Sequence, residues 1–96
     1  MTDREIALAL IATGRDAFET DTGFRPQPNE AMEAAVTLLV RVGRLLDAPE
    51  RTADAIFGLM TEVWLQQWEA SVVEAAVGDV VHALSVAMSG QPEILA

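Results

Sequence analysis

The sequence predicts an all-α protein, a compact four-helix bundle-like domain that forms a homodimer. Apolar residues recur at helical spacing over four stretches, capping patterns mark where the stretches begin, and proline-rich or glycine-containing segments interrupt them. Ninety-six residues suit one domain, spanning 1–96, and leave little room for a second core.

The first predicted helix covers residues 3–19. Thr2 and Glu5 have the spacing of a capping box, in which each side chain bonds the backbone amide of the other. From Ile6 to Ala12 every residue is apolar. An ordinary surface helix would show a polar stripe there, so we expect this helix to be covered on more than one side.

The second predicted helix covers residues 30–46. It follows a loop over 20–28 that contains one glycine and two prolines, and Asn29 is its expected N-cap. Its polar residues form one narrow stripe, and apolar residues cover the rest of its circumference, so it should be the central helix. The stripe consists of Glu30, Glu33, Thr37, Arg41 and Arg44.

The third and fourth predicted helices cover residues 48–69 and 72–89. Asp47 is the expected N-cap of the third, with Pro49 in its first turn. Ser71 and Glu74 form a second capping-box pattern, which predicts a break near residue 70. Gly90 is a natural helix stop, and residues 91–96 are expected to be a flexible tail.

Each predicted helix contains one internal glycine: Gly14, Gly43, Gly58 and Gly78. A glycine inside a helix costs about 1 kcal/mol relative to alanine. Four such positions beside many alanines favour close helix–helix contact at these sites.

Composition excludes several function classes. Six basic residues against 15 acidic ones give a net charge of −9, which repels phosphate backbones and anionic lipids, so we expect no direct nucleic-acid binding. No unbroken apolar run approaches the roughly 18 residues that span a bilayer, so no membrane partner is expected. The absence of cysteine and of a signal-peptide pattern suits a cytoplasmic protein.

Motifs for catalysis are weak, and the sequence predicts no enzyme, no cofactor and no catalytic or metal-binding residue. The single histidine, His82, lies three residues after Asp79, a spacing typical of a solvated pair on a helix. A phosphate-binding loop would need a lysine, which this chain lacks.

Acidic residues suggest two alternative functions. Glu30, Glu33, Glu50 and Asp54 are the candidate ligands of a carboxylate–Mg²⁺ helical nucleotide hydrolase, although helix dipoles alone favour acids on early turns. The other alternative, which ranks ahead of the hydrolase, is a phage- or plasmid-type inhibitor that mimics nucleic acid. An up-down bundle places its acidic connections at opposite ends, which disperses the charge.

The two tryptophans carry the leading functional interpretation. Trp64 and Trp68 are four residues apart, which places both rings on one side of a helix, and Gln66 or Gln67 is the expected acceptor for a buried indole N–H. A chain this short cannot bury all of its apolar faces, and a remaining apolar patch usually marks an interface. Trp64 is expected nearer the core and Trp68 nearer the surface.

We therefore expect a non-catalytic protein–protein interaction module, an adaptor, regulator or small inhibitor of a larger protein machine. Its partners are a second copy of the chain and a larger protein. The predicted interface residues are Phe24, Phe57, Met60, Trp64, Gln67 and Trp68.

Overall fold

The part of the chain that the structure describes forms four α-helices, as the sequence predicts: α1 (Asp3–Thr22), α2 (Glu30–Leu45), α3 (Pro49–Gln66) and α4 (Ala70–Ser89). The structure is a computed structural model that describes residues 1–89, with side chains to residue 87, and this part of the chain contains no strand. The tail predicted at 91–96 lies outside these residues. The radius of gyration is 13.7 Å, close to the roughly 13 Å of a folded domain of this size.

The core is centred on α2 and α3. Both helices contact α1 and α4 as well as each other, and α2 has the more extensive packing with its neighbours. Apolar side chains at helical spacing on these two helices meet residues of α4. The largest fully buried side chains among the described residues are Met32, Val36, Leu39, Ile56, Met60 and Val73.

The predicted N-caps of α1 and α2 are confirmed. The Glu5 amide donates to Thr2 Oγ1 at 3.1 Å, while the Thr2 amide donates to Glu5 Oε1 at 2.9 Å. The Met32 amide donates to Asn29 Oδ1 at 3.0 Å. These bonds satisfy helix N-terminal amides within one turn, so a short sequence pattern is enough to locate them.

The prediction that Asp47 caps α3 is wrong. Asp47 has a φ of 54° and follows the end of α2. Its amide donates to the Arg44 carbonyl at 3.2 Å, and the Ala48 amide donates to the Gly43 carbonyl at 3.0 Å. This pair of bonds is a Schellman motif, which satisfies the last carbonyls of α2. Ala48 is the N-cap of α3 instead.

The predicted break between the third and fourth helices exists, but it begins earlier. Gln67 has a φ of 53°, and the Trp68 amide donates to the Val63 carbonyl at 3.2 Å, which ends α3 at Gln66. The Glu69 carbonyl accepts from the Val72 amide at 3.0 Å. Ser71 therefore lies inside the first turn of α4, and its prediction as the N-cap is wrong.

Two of the four helix glycines allow close packing and two do not. A Cβ at Gly14 would lie 2.7 Å from Met60 Cε, and one at Gly43 would lie 2.6 Å from the Thr52 side chain. A Cβ at Gly58 or Gly78 would meet no described neighbouring atom within 4 Å. The prediction of close helix–helix contact is confirmed at Gly14, between α1 and α3, and at Gly43, between α2 and α3. It is wrong at Gly58 and Gly78.

The helices leave more apolar surface uncovered than expected. α1 buries a single face, and Leu8 on its other side is 40% exposed, so within one chain α1 is not covered on more than one side. On α2, Leu38 and Leu45 were expected inside but are 42% and 76% exposed. Because both leucines lie away from α1, α3 and α4, a single copy of the chain leaves them in water.

Helix α4 has the length and composition of a membrane span over Ala70–Ala87, and only 17% of this window is buried inside the chain. Glu74 and Asp79 interrupt this window, so it contains no long unbroken apolar run that the sequence would reveal. The core helix of a soluble protein can meet the same criteria of length and composition, but such a helix is mostly buried.

Candidate protein-binding surface around the tryptophans

Trp64 joins α3 to α1. Its ring is 8% exposed and meets the buried Phe18 ring edge-on, with the ring centroids 5.3 Å apart and the planes at 64°. Such aromatic pairs add about 0.5–1.5 kcal/mol beyond the area that they bury. Trp64 therefore belongs mainly to the core, as the sequence predicts.

Trp68 lies on a different structural element from the one predicted. The third helix was expected to reach residue 69 and to carry both rings on one face. Gln67 instead adopts a left-handed conformation, so Trp68 follows the end of α3 and belongs to the short connection to α4. Its side chain is half-buried against the core. The ring is consequently positioned by the connection and not by helical periodicity.

Two hollows lie on either side of Trp64. The first, which we call the α1–α3 hollow, has a volume of about 290 Å³ and includes Gly14, Phe18, Phe57, Met60 and Leu65 in its wall. The second, which we call the tryptophan groove, has a volume of about 370 Å³. Its wall consists of Phe24, Pro26, Gln27, Pro28, Asn29, Val63, Trp64, Gln67 and Trp68.

The loop between α1 and α2 forms one side of the tryptophan groove. Gly23, with a φ of 77°, ends α1, and the Phe24 amide then donates to Thr22 Oγ1 at 3.2 Å. Pro26 is buried, whereas Phe24 is 52% exposed. Proline restricts its own φ and the backbone of the residue before it. The loop therefore presents an aromatic ring on a restrained backbone.

The structure divides the six predicted interface residues between the two hollows. Phe24, Gln67 and Trp68 line the tryptophan groove, Phe57 and Met60 line the α1–α3 hollow, and Trp64 lines both. Met60 has no exposed surface. It supports the wall of the hollow from within the core and offers nothing for direct contact.

Sequence reasoning missed several residues of these walls. Pro26, Pro28 and Asn29 were assigned only to a loop and a helix cap, yet they line the groove beside Trp68. Phe18 and Leu65 line the α1–α3 hollow, and Leu65 is 59% exposed. The proline spacing was the available signal, because two prolines beside an aromatic residue indicate a restrained loop that can hold an exposed ring.

The indole N–H of Trp64 is buried and has no hydrogen-bond partner within the described part of the chain. Gln66 Nε2 donates to Glu62 Oε2 at 3.3 Å, and neither glutamine bonds the indole, so the expectation that one of them would do so is wrong. A buried donor without an acceptor costs about 1–3 kcal/mol. Trp64, which carries this unsatisfied donor, lines both hollows.

Acidic residues border the wall of the tryptophan groove along the sequence. Glu30, Glu62 and Glu69 are exposed, and each is adjacent in sequence to a residue of its wall. The nearest arginine, Arg25, donates to Asp16 at 3.1 Å and to Glu19 at 2.9 Å. These hydrogen bonds, first to Asp16 and then to Glu19, raise the pKa of Arg25. Its charge is therefore matched locally, and the surroundings of the groove remain acidic.

The acids singled out for metal binding do not converge. Within residues 1–89, no group of three or more histidine or acidic side chains is placed to hold a metal ion. Glu33 instead lies 3.7 Å from Arg4, and the Asp79 and His82 side chains are exposed on α4. Capping and solvation account for these positions.

The tryptophan groove is the arrangement most suited to binding, since it combines exposed aromatic surface with a restrained loop, and its wall includes Trp64, whose indole N–H is buried and unsatisfied. Comparison with protein-family models, with curated proteins and with solved structures finds no match to this chain.

Proposed function

We propose that this chain is a non-catalytic protein-interaction module that holds a segment of a partner protein in the tryptophan groove. Phe24 and Trp68 supply large apolar surface at the rim, and Trp64 forms the base. Tryptophan is enriched among the residues that dominate binding energy at protein interfaces. Such a module would act as an adaptor, a regulator or a small inhibitor of a larger protein machine.

The Trp64 indole N–H is the single observation that carries this proposal. A donor with no acceptor is costly when buried, and a partner carbonyl that reached it would remove this cost on binding. Nearly all buried polar groups in folded proteins are hydrogen-bonded, so this exception needs an explanation. Core packing explains the position of the ring but not its unsatisfied N–H.

The charge around the groove favours a basic, apolar partner segment. The exposed carboxylates beside the wall attract lysine and arginine, and with a net charge of −9 the protein repels another acidic surface at this place. A second copy of the chain is therefore a poor occupant of the groove. The preferred occupant carries large apolar side chains interspersed with basic ones.

Self-association is assigned to a different face. Leu38 and Leu45 are exposed and lie seven residues apart on α2, which places them on one side of the helix. Burying them against a second copy would remove apolar surface from water at roughly 25 cal/mol per Å². In our proposal, two copies pair through α2, and each keeps its groove free for the larger partner.

The test uses two labelled amphipathic peptides with the same leucine pattern, one with arginine and one with glutamate at the polar positions. We expect the arginine peptide to bind, as measured by fluorescence anisotropy, and the glutamate peptide not to bind. Added salt should weaken binding, because exposed charges are screened. Binding of both peptides with equal affinity would contradict a charge-selected groove.

Matched variants locate the binding. Trp68→Ala should weaken binding of the arginine peptide at least about tenfold, which corresponds to roughly 1.4 kcal/mol. Leu38→Ala, on the α2 face, should leave it unchanged while the protein remains folded by circular dichroism. The proposal fails if neither variant, or only Leu38→Ala, affects the binding.

A further inference from the structure

A third hollow lies at the opposite end of α3 from the tryptophan groove. It has a volume of about 310 Å³, and α1, the last turns of α2 and the first turns of α3 enclose it. Ile6, Leu10, Val40 and Ile56 form the greater part of its apolar wall. We call it the Asp3 pocket, because Asp3 also belongs to its wall.

Close contact between two helices sets one side of this pocket. Gly43 of α2 faces the buried Thr52 of α3, and a Cβ on the glycine would lie 2.6 Å from the threonine side chain. The Thr52 hydroxyl donates to the Ala48 carbonyl at 2.6 Å. Thr52 is thereby oriented against Gly43, so this side of the pocket is closely packed.

One carboxylate oxygen of Asp3, in the pocket wall, has no hydrogen-bond partner among the described residues. Its side chain is only 9% exposed, and Oδ2 accepts from Arg44 Nη2 at 3.0 Å and from Arg41 Nε at 3.3 Å. Oδ1 is buried and has no hydrogen-bond partner in the part of the chain that the structure describes. A buried carboxylate oxygen normally accepts at least one hydrogen bond.

A purely structural role accounts for only part of this arrangement. Asp3 in the first turn suits the positive end of the α1 dipole, and its Oδ2 links α1 to the arginines of α2. Thr2 and Glu5 already cap the helix. None of these roles uses Oδ1, which remains an unused acceptor on a residue that lines an apolar pocket.

We propose that the Asp3 pocket binds a small neutral molecule with an apolar body and one hydroxyl or N–H group, which donates its hydrogen bond to Asp3. The pocket size suits a small molecule, since ligand pockets begin at about 300 Å³ and are mainly apolar with few polar groups. Arg41 and Arg44 already match the charge of the carboxylate. An added cation would therefore gain little from Asp3, and a neutral donor avoids the cost of burying a further charge.

The experiment compares two probes that differ in the donor alone: 4-propylphenol, which has a hydroxyl, and 4-propylanisole, which has none. Titrations of the full chain are followed by amide chemical shifts in ¹H–¹⁵N NMR spectra. We expect 4-propylphenol to bind with a Kd below about 1 mM, shifting the amides of Leu10, Gly43 and Ala53. The anisole should bind at least about tenfold more weakly, because it leaves the acceptor unpaired.

A variant whose larger side chain fills the pocket provides the second arm of the experiment. Ala53 belongs to the wall, so Ala53→Phe should abolish binding of the phenol, and Ala75→Phe on the exposed face of α4 should not. Ala53→Leu serves if the larger variant loses its helical spectrum. Equal affinity of the two probes would overturn the hydrogen bond to Asp3. No shift at the solubility limit, or shifts confined to residues outside the pocket, would overturn the site.

Discussion

The two ends of α3 contrast in how they enclose space. At the first end, three helices line the Asp3 pocket, and the close approach of Gly43 to Thr52 packs one side of it tightly. At the other end, a proline-restrained loop and a short interhelical connection form the tryptophan groove, so most of its rim is not helical. The first arrangement suits a small ligand, and the second suits a polypeptide segment.

Three buried side-chain polar atoms lack a partner among the described residues, and the two that belong to residues of these walls, Asp3 Oδ1 and Trp64 Nε1, are of opposite kinds. Asp3 Oδ1 is an acceptor, whereas Trp64 Nε1 is a donor. A partner carbonyl would satisfy the second, and a hydroxyl or N–H would satisfy the first. In our proposals, α3, a helix of 18 residues, separates a site that accepts a hydrogen bond from its ligand from a site that donates one to its partner.

The largest expected effect concerns the roles of the two tryptophans. Trp64→Ala should lower the free energy of unfolding by about 3–5 kcal/mol, because it removes a buried ring packed on Phe18. Trp68→Ala, at a half-buried site, should lower it by less than about half of that amount. Urea denaturation of both variants measures the difference. Equal and severe losses would place both rings in the core and remove the distinction between base and rim.

The next effect tests the closely packed side of the Asp3 pocket. Gly43→Leu should destabilise the protein by about 1–3 kcal/mol, since its side chain would overlap Thr52. Gly58→Leu is the matched control: no described neighbour lies near its Cβ position, and leucine is the better helix former. Thermal denaturation should show opposite changes in Tm. Similar losses in both variants would argue against the contrast between the two glycines.

The third effect concerns self-association through the face of α2 that carries Leu38 and Leu45. We expect a dimer at micromolar concentration in sedimentation, and Leu45→Arg should raise its dissociation constant at least about tenfold, or roughly 1.4 kcal/mol. Trp68→Ala should leave the dimer intact if the groove serves another partner. Added salt should preserve or strengthen the dimer, because it screens the repulsion between two copies of charge −9. A strict monomer across this range would remove the homodimer proposal.

The smallest effect concerns the start of α1, next to Asp3. Hydrogen bonds from the Thr2 backbone and side chain hold the pKa of Glu5 below its ordinary value. A carboxyl whose pKa is lowered in the folded state stabilises the fold above its unfolded pKa, and this contribution is lost as the pH falls through the folded pKa. Glu5→Gln should therefore slightly reduce the fall in Tm between neutral pH and about pH 4. An unchanged or steeper fall would argue against the charged capping box.

Local patterns allowed much of the fold to be predicted. The number of helices and the caps at Thr2 and Asn29 depend on groups within one turn, so spacing in the sequence reveals them. The helix ends at Asp47 and Gln67 could not be found in this way. Both residues adopt positive φ, which sequence reasoning assigns to glycine, and both satisfy helix carbonyls that a search for N-caps does not consider.

Part of the candidate site was named from the sequence, but its loop residues and its arrangement were not. Phe24, Gln67 and Trp68 were identified as surface aromatic or polar groups, and the structure brings them together. Their meeting depends on how the loop before α2 folds back towards the end of α3. No spacing within either segment encodes that distance, so the prolines of the groove were missed.

The sequence by itself determined the all-helical fold, the approximate helix positions and the acidic charge, because each follows from composition or from contacts a few residues apart. The tertiary structure alone decided which glycines touch a neighbouring helix, which leucines remain in water, and which buried polar atoms lack a partner. These properties depend on atoms that are distant in sequence and meet only when the helices pack.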